Sequence, residues 1–284
     1  MAILFVDHLT VIDCAYLEMQ RGLVGESWIV DLELEGDLDA QSMVLDFGEV
    51  KRRIKRAIDQ GPDHTLLVPR RAQGLRVQQQ GHDLVIDANT ARGTITLEAP
   101  AVSVTLLDDV EVSAAAVAAH CETLVRAVVP ASVRQIRLRL RNEQIDGAYY
   151  HYVHGLKKHD GACQRIAHGH RSRIEIYVEG ERDAALEAQL ASSLRDAYIV
   201  SRDDVLERTD THLTSGYRAP EGHFKLRLPQ SLVTQIDSDS TVECLADWLL
   251  AHARRARPDR SVTVKAFEGI RKGALAHHQH PQPL

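Results

Sequence analysis

The strongest constraint on this chain is that one order of elements occurs in it twice. LFVDHLTVIDCAYL reads as an apolar-rich strand. GESWIVDLELEG reads as a second, with Val30, Leu32 and Leu34 on one face and Asp31, Glu33 and Glu35 on the other. DFGEVKRRIKRAID then places Val50, Ile54 and Ile58 at helical spacing. A hairpin-like insert follows around LRVQQQGHDLVID and GTITLEA. SAAAVAAHCETLVRAVV is a second helix with Val117, Cys121, Leu124 and Val128 on its inner stripe, and IRLRLRNE is a closing strand. The series then restarts. AYYHYVHGL and RSRIEIYVEG are strands, ERDAALEAQLASSLRDA is a helix with Leu186, Leu190 and Leu194 in register, and HFKLRLP is a short strand. STVECLADWLLAHARRA is a helix opened by a Ser240/Glu243 capping box, and SVTVKAFEG closes the series. Two strands, helix, helix, strand, repeated, implies a duplicated α+β unit. The 284 residues suffice for two such units. The joint falls near residue 145, giving units 1–144 and 145–276 and a disordered tail from 277 to 284. No Gly/Ser linker separates the units, so they are expected to pack together.

Bulk properties narrow the function classes. A net charge of −6 implies no general affinity for nucleic acid. No apolar run spans a membrane and MAILFVDHLTV is not a signal peptide, so a cytoplasmic protein is expected. The four cysteines, Cys14, Cys121, Cys163 and Cys244, form no CxxC pair and are expected as free thiols. Cys14, Cys121 and Cys244 lie on apolar stripes and read as core.

The chemistry concentrates in CQRIAHGHRSRIEIYVEG. After the histidines, Ile174, Ile176 and Val178 alternate with Arg173, Glu175 and Tyr177. On such a strand His168 and His170 point to one face, which is the convergence a metal needs.

Four motifs of the second unit occur in order: Tyr150-HYV-His154, Cys163-QRIA-HGH, STVE (Ser240–Glu243) and VKAFEG with Glu268. Together they resemble the 6-pyruvoyl-tetrahydropterin synthase and 6-carboxytetrahydropterin synthase family. That resemblance implies a tandem tunnelling fold, each half a four-stranded antiparallel sheet with two helices on one face, assembling into barrels. It implies a homo-oligomer and a catalytic zinc with three protein ligands. His154 is the expected third ligand beside His168 and His170. His151 and His159 compete: His151 is three residues from His154 and points to the opposite face, and His159 sits in the polar KKHDG loop. Cys163 is the family's base. Glu268 stands where the family holds the pterin edge through a carboxylate; Glu143 is its counterpart in the first half, and the sequence does not choose between them. Thr241 belongs to the substrate-contacting STVE motif.

The first half has GESW (Gly25–Trp28) where the second has HGHRS, so it lacks a metal pair. It keeps SMVLDF (Ser42–Phe47), similar to the family's entry to its first helix, and Asp63-His64, similar to the pair that assists the cysteine. A composite site is therefore expected, with Asp63 and His64 from one half and Cys163 and zinc from the other, within or between chains. Lys157, Lys158, Arg165 and Arg171 are candidate triphosphate cations. The resemblance implies a zinc lyase converting 7,8-dihydroneopterin triphosphate to 6-carboxytetrahydropterin on the queuosine route. A 6-pyruvoyl product or a related pterin aldolase or epimerase is the alternative within the family, and a non-catalytic zinc- or pterin-binding protein is the alternative outside enzymes.

Overall fold

The computed structural model describes residues 1–281. The first half runs β1 (Ala2–Glu18), β2 (Gly22–Gly36), α1 (Phe47–Asp59), β3 (Leu66–Pro69), β4 (Leu75–Gln80), β5 (Asp83–Thr90), β6 (Gly93–Pro100), β7 (Val104–Leu107), α2 (Ala114–Arg126) and β8 (Val133–Arg141). The second runs β9 (Tyr149–His154), β10 (His168–Val178), β11 (Glu181–Arg182), α3 (Ala184–Ser193), β12 (Ala197–Ser201), β13 (Val205–Arg208), β14 (His212–Ala219), β15 (Gly222–Pro229), β16 (Val233–Ile236), α4 (Val242–Ala256), β17 (Val262–Phe267) and β18 (Gly273–His278). A short coil joins β8 to β9. None of the described helices is long and apolar enough to cross a membrane.

Each half builds one main sheet with two helices on one face. The sheets are larger than four strands and are not purely antiparallel. The first has the order β7-β3-β1-β2-β8, and the second β16-β12-β9-β10-β17-β18 with β11 beside β10. β3 and β7 join parallel to β1, and β12 and β16 join parallel to β9. Two of these added strands, β3 (LLVP) and β12 (AYIVS), are buried throughout. They have no polar face to alternate with, so period two cannot reveal them.

The inserts do not stay with their own halves. They merge into a third, antiparallel sheet, β13-β14-β15-β6-β5-β4, joined where Leu97 of β6 faces Leu226 of β15. This sheet closes a core shared by both halves, into which Leu17 and Leu66 reach from the first half and Val153 and Tyr198 from the second. Two further cores lie between each main sheet and its helices.

Local details differ from the sequence reading in four places. The α2 stripe passes through Val125 rather than Leu124, which is half-buried. The cap of α4 is Thr241, whose hydroxyl accepts from Cys244 N at 3.4 Å, so Ser240 is left for another partner. Cys244 is half-buried, not core. The expected tail begins inside β18, where His277 and His278 pair with Thr263 and Val262; residues 282–284 of it lie outside the described residues.

The halves meet through two glycines. Gly25 of β2 lies against β9 and β10: a Cβ there would come within 2.6 Å of His170 N and 2.8 Å of His170 O, and closer still to Tyr152 O. Gly169 faces it, and a Cβ on Gly169 would come within 2.7 Å of Gly25 Cα. Backbone meets backbone at this crossing, and only glycine leaves room.

Candidate metal centre and active site

Strand pairing gathers the three histidines. Antiparallel register sets His168 of β10 opposite His154 of β9, and His170 follows two residues later on the same face. All three are at most 1% exposed. His154 Nδ1 meets Ser240 O at 2.9 Å and His168 Nδ1 meets Arg165 O at 2.9 Å. With the protons held on Nδ1, the Nε2 lone pairs are free. The Nε2 atoms of all three rings are buried and have no hydrogen-bond partner, and each ring has a ligand nitrogen within 4.8 Å of the other two. Burial, reinforced by the neighbouring imidazoles, pushes His154 and His168 well below the ordinary histidine range. Buried, converging nitrogens that nothing else satisfies fit a three-histidine metal centre. His151 turns away, its Nδ1 2.6 Å from Gly25 O, and His159 lies in a loop, hydrogen-bonded to Gly161 N.

Beside this centre lie residues from both halves. The loop after α1 carries Asp63 and His64, with His64 Nδ1 2.8 Å from Asp63 Oδ2. His64 has φ of 53°, a conformation that costs a non-glycine residue free energy. The loop is pinned there: His64 N donates to Asp13 O at 2.7 Å, Asp63 Oδ1 accepts from Asp13 N at 2.9 Å, and Thr65 Oγ1 donates to Pro62 O at 2.8 Å. The ligand atoms of His64, Cys163 and His168 lie within 4.8 Å of one another. Burial opposes the charged form of His64, but Asp63 and Cys163 outweigh it and raise the ring to about 10. Asp63, His64 and Cys163 thus lie side by side at the edge of the histidine cluster, all within one chain.

Cys163 sits in the short turn Ala162–Gln164 and is half-buried. The third sheet braces this turn. Tyr217 Oη donates to Gln164 O at 2.8 Å, and Glu221 N donates to Gln164 Oε1 at 2.7 Å. Arg165 binds the Glu221 carboxylate through Nε and Nη2 and reaches His64 O at 3.5 Å.

The proposed substrate contacts fall unevenly. Glu268 follows β17; its N donates to Lys272 O at 3.0 Å, and its Oε2 lies 3.8 Å from Lys272 Nζ. Lys272 also lies 3.5 Å from Asp13 Oδ2, which ties Glu268 to the histidine side of the molecule. Glu143 is buried, with Oε2 unpartnered and its carbonyl bound by Arg171. The pairings Val30–Leu140 and Ile174–Ala266 make Asn142, rather than Glu143, the register counterpart of Glu268. Thr241 serves as the helix cap, and the adjacent Ser240 O holds His154. The expected triphosphate cations are already engaged: Lys157 with Asp204, Lys158 with Asp239, Arg165 with Glu221, and Arg171 with Glu143 O and the Tyr149 ring.

Asp13 was not among the expected site residues. It is 4% exposed, with Oδ1 3.2 Å from His170 Nδ1. Burial works to raise its carboxyl, but His170, Lys272 and Ser27 hold it well below the usual carboxylate range. The signal was present in VIDCAY: an acidic residue inside an otherwise apolar strand needs a partner.

Register also refines the comparison of the halves. Cys14 pairs with Glu26 and Tyr16 with Val24, as Tyr152 pairs with His170 and His154 with His168. Cys14 and Tyr152 both face their helices. Val24-Gly25-Glu26, one residue earlier than GESW suggests, therefore stands where the second half has His-Gly-His, and Tyr16 stands for His154. Asp196, with φ of 56°, occupies the turn equivalent to that of His64 and pairs with Arg21 at 2.5 Å.

A family model described as 6-pyruvoyl tetrahydropterin synthase matches the chain twice, over residues 17–151 and 146–277. Two solved structures are among those the chain is similar to. A 6-pyruvoyltetrahydropterin synthase of Plasmodium vivax is 18% identical, covers 50% of this chain and 98% of its own, and has a TM-score of 0.38. The Plasmodium falciparum enzyme is 16% identical, covers 49% and 90%, and has a TM-score of 0.40. No curated protein matches the sequence.

Proposed function

Because the chain belongs to the 6-pyruvoyl tetrahydropterin synthase family over both of its halves, we propose that it is a zinc-dependent lyase of 7,8-dihydroneopterin triphosphate with one composite site per chain. The observation that carries this reading is the convergence of Asp63 and His64 from the first half on Cys163 and the three-histidine cluster of the second. His154, His168 and His170 would hold zinc through Nε2. Zinc bound there supplies Lewis acidity, which polarises the substrate side-chain oxygens and makes the adjacent C–H groups more acidic.

The remaining chemistry falls to the chain's own side chains. His64, kept protonated by Asp63, favours the thiolate of Cys163. That sulfur accepts the side-chain proton, and His64 returns protons in the opposite direction. Glu268 accepts the two-donor edge of the pterin ring. The product is 6-carboxytetrahydropterin, formed with uptake of one water and loss of acetaldehyde and triphosphate. Chains assemble as a homo-oligomer through sheet edges such as β8, whose outer side has no partner strand among the described residues.

The test is incubation of zinc-loaded protein with 7,8-dihydroneopterin triphosphate, reading acetaldehyde, pyruvoyl product and released triphosphate. Acetaldehyde formation supports the carboxy-product reading. A pyruvoyl product moves the assignment to the sister activity, and absence of turnover refutes the lyase.

A further inference from the structure

Asp13 belongs to no motif of the site and to the half without the histidines, yet it is joined to both parts of the site. Its backbone N and O bond Asp63 Oδ1 and His64 N. Its side chain reaches across the inter-half boundary, with Oδ1 3.2 Å from His170 Nδ1 and Oδ2 3.5 Å from Lys272 Nζ, while Ser27 of its own half donates to Oδ1 at 2.5 Å. A carboxylate buried on an apolar strand is retained only where such partners compensate the lost hydration.

The three imidazoles are held differently. His154 and His168 present Nδ1 to backbone carbonyls, whereas His170 presents Nδ1 to a carboxylate. We infer that Asp13 is a positioning residue of the metal centre, supplied by the first half to a ligand of the second. This rests on reading the three histidines as a zinc site. Asp13 and His170 are in contact range without the alignment of a formed hydrogen bond, so the effect acts first through charge: the carboxylate favours the Nδ1–H tautomer, leaves the Nε2 lone pair for metal, and makes the imidazole a stronger donor. The pseudo-symmetric position supports this. There His151 stands for Asp13, beside a strand whose Glu26 replaces His170, and the carboxylate–imidazole arrangement across the boundary is absent where the metal ligands are absent.

The test uses the full chain with Asp13→Asn, which keeps shape and removes charge, and Asp13→Ala. Zinc affinity is read by chelator competition, the visible spectrum of the cobalt(II)-substituted protein reports ligand geometry, and the melting temperature of zinc-stripped protein reports structure alone. We expect zinc affinity to fall about 10- to 100-fold with an altered cobalt spectrum, the same stoichiometry at saturation, and an Asp13→Asn zinc-stripped melting temperature close to that of the parent. Parent-like zinc affinity and cobalt spectrum in Asp13→Asn overturn the inference while His168→Ala, which should lose zinc, leaves the metal reading standing. A lowered zinc-stripped melting temperature with unchanged affinity assigns Asp13 a structural role and also overturns it. If the parent takes up no zinc, the metal reading fails and the inference falls with it.

Discussion

Gly25→Ala places one methyl group where the two halves cross. The new Cβ would stand 2.6 Å from His170 N and 2.8 Å from His170 O, against the 3.4 Å at which ordinary contact begins. The strands must therefore part by about 0.8 Å at His170, and by more at Tyr152 O. Every obstructing atom is backbone, so no side chain can swing aside. Overpacking of this kind costs about 1–3 kcal/mol, and the absence of a yielding neighbour puts this site at the upper end. At roughly 2–4 °C per kcal/mol for a protein somewhat smaller than this one, the melting temperature should fall by about 6–12 °C. The strain also lands on the strand that carries His170, so zinc affinity should drop along with stability. The assays are thermal unfolding of zinc-stripped and zinc-loaded protein and chelator competition. Gly25→Ser should behave alike, and a distant surface substitution such as Gln79→Ala should not. A Gly25→Ala protein with the parent's melting temperature and zinc affinity would refute the close crossing and, with it, this packing of the halves.

Three further outcomes are expected. Purified protein should bind one zinc per chain, because Tyr16, Val24 and Glu26 cannot replace the histidines, and His168→Ala or His170→Ala should abolish binding; metal analysis showing two per chain would refute the assignment. Cys163→Ala and His64→Ala should each retain zinc and lose turnover by about 10²–10⁴-fold, and coexpressing the two variants should restore nothing beyond the parents if both act in one chain, where they lie together; recovered activity would place the pair between chains. Glu26→Gln should raise stability at pH 8 by roughly 3 kcal/mol while leaving pH 4 unchanged, measured by denaturant titration. Burial raises the Glu26 carboxyl from 4.5 to about 7, so the folded state binds its proton more tightly, and the stability that proton supplies is complete below pH 4.5 and lost as pH rises through 7.

The duplication was legible because its period-two and period-3.6 segments each have one wet face. Val30, Leu32 and Leu34 alternate with acids, and Ile54 and Ile58 keep helical step, so β2 and α1 could be read directly. What escaped was whatever had no wet face or no local partner. The runs 66–69 and 197–201 are buried on both sides and look like linkers or helix ends. The third sheet depends on Leu97 meeting Leu226 across 129 positions, which no window of sequence contains. The HGH spacing pointed to His168 and His170 sharing a face, and register adds His154 opposite them. Asp13 went unmarked because its partners, His170 and Lys272, come from the other half of the chain.

On the composite-site reading, strand register also accounts for one complete site out of two possible ones. The two positions equivalent to a metal centre lie about one crossing, at Gly25 and Gly169, so each half contributes to both. In the first half Tyr16, Val24 and Glu26 stand at the positions of the three histidines, and the second half's Arg195-Asp196 stands where the first has Asp63-His64. Asp196 keeps the strained turn of its counterpart but spends its carboxylate on Arg21. On the composite-site reading proposed above, one site thus lacks its residues from both halves, while the other has them from both. If the losses had fallen on unpaired members, no complete set would be left. Rebuilding the lost site would therefore take more than three histidines in place of Tyr16, Val24 and Glu26. It would also need a thiol near Arg21 and an imidazole in place of Asp196, and a triple-histidine variant should gain at most a second, inactive zinc. Metal analysis beside the lyase assay decides it: a second zinc accompanied by doubled turnover would show that the Asp-His pair and the cysteine are dispensable, against the relay argued from His64.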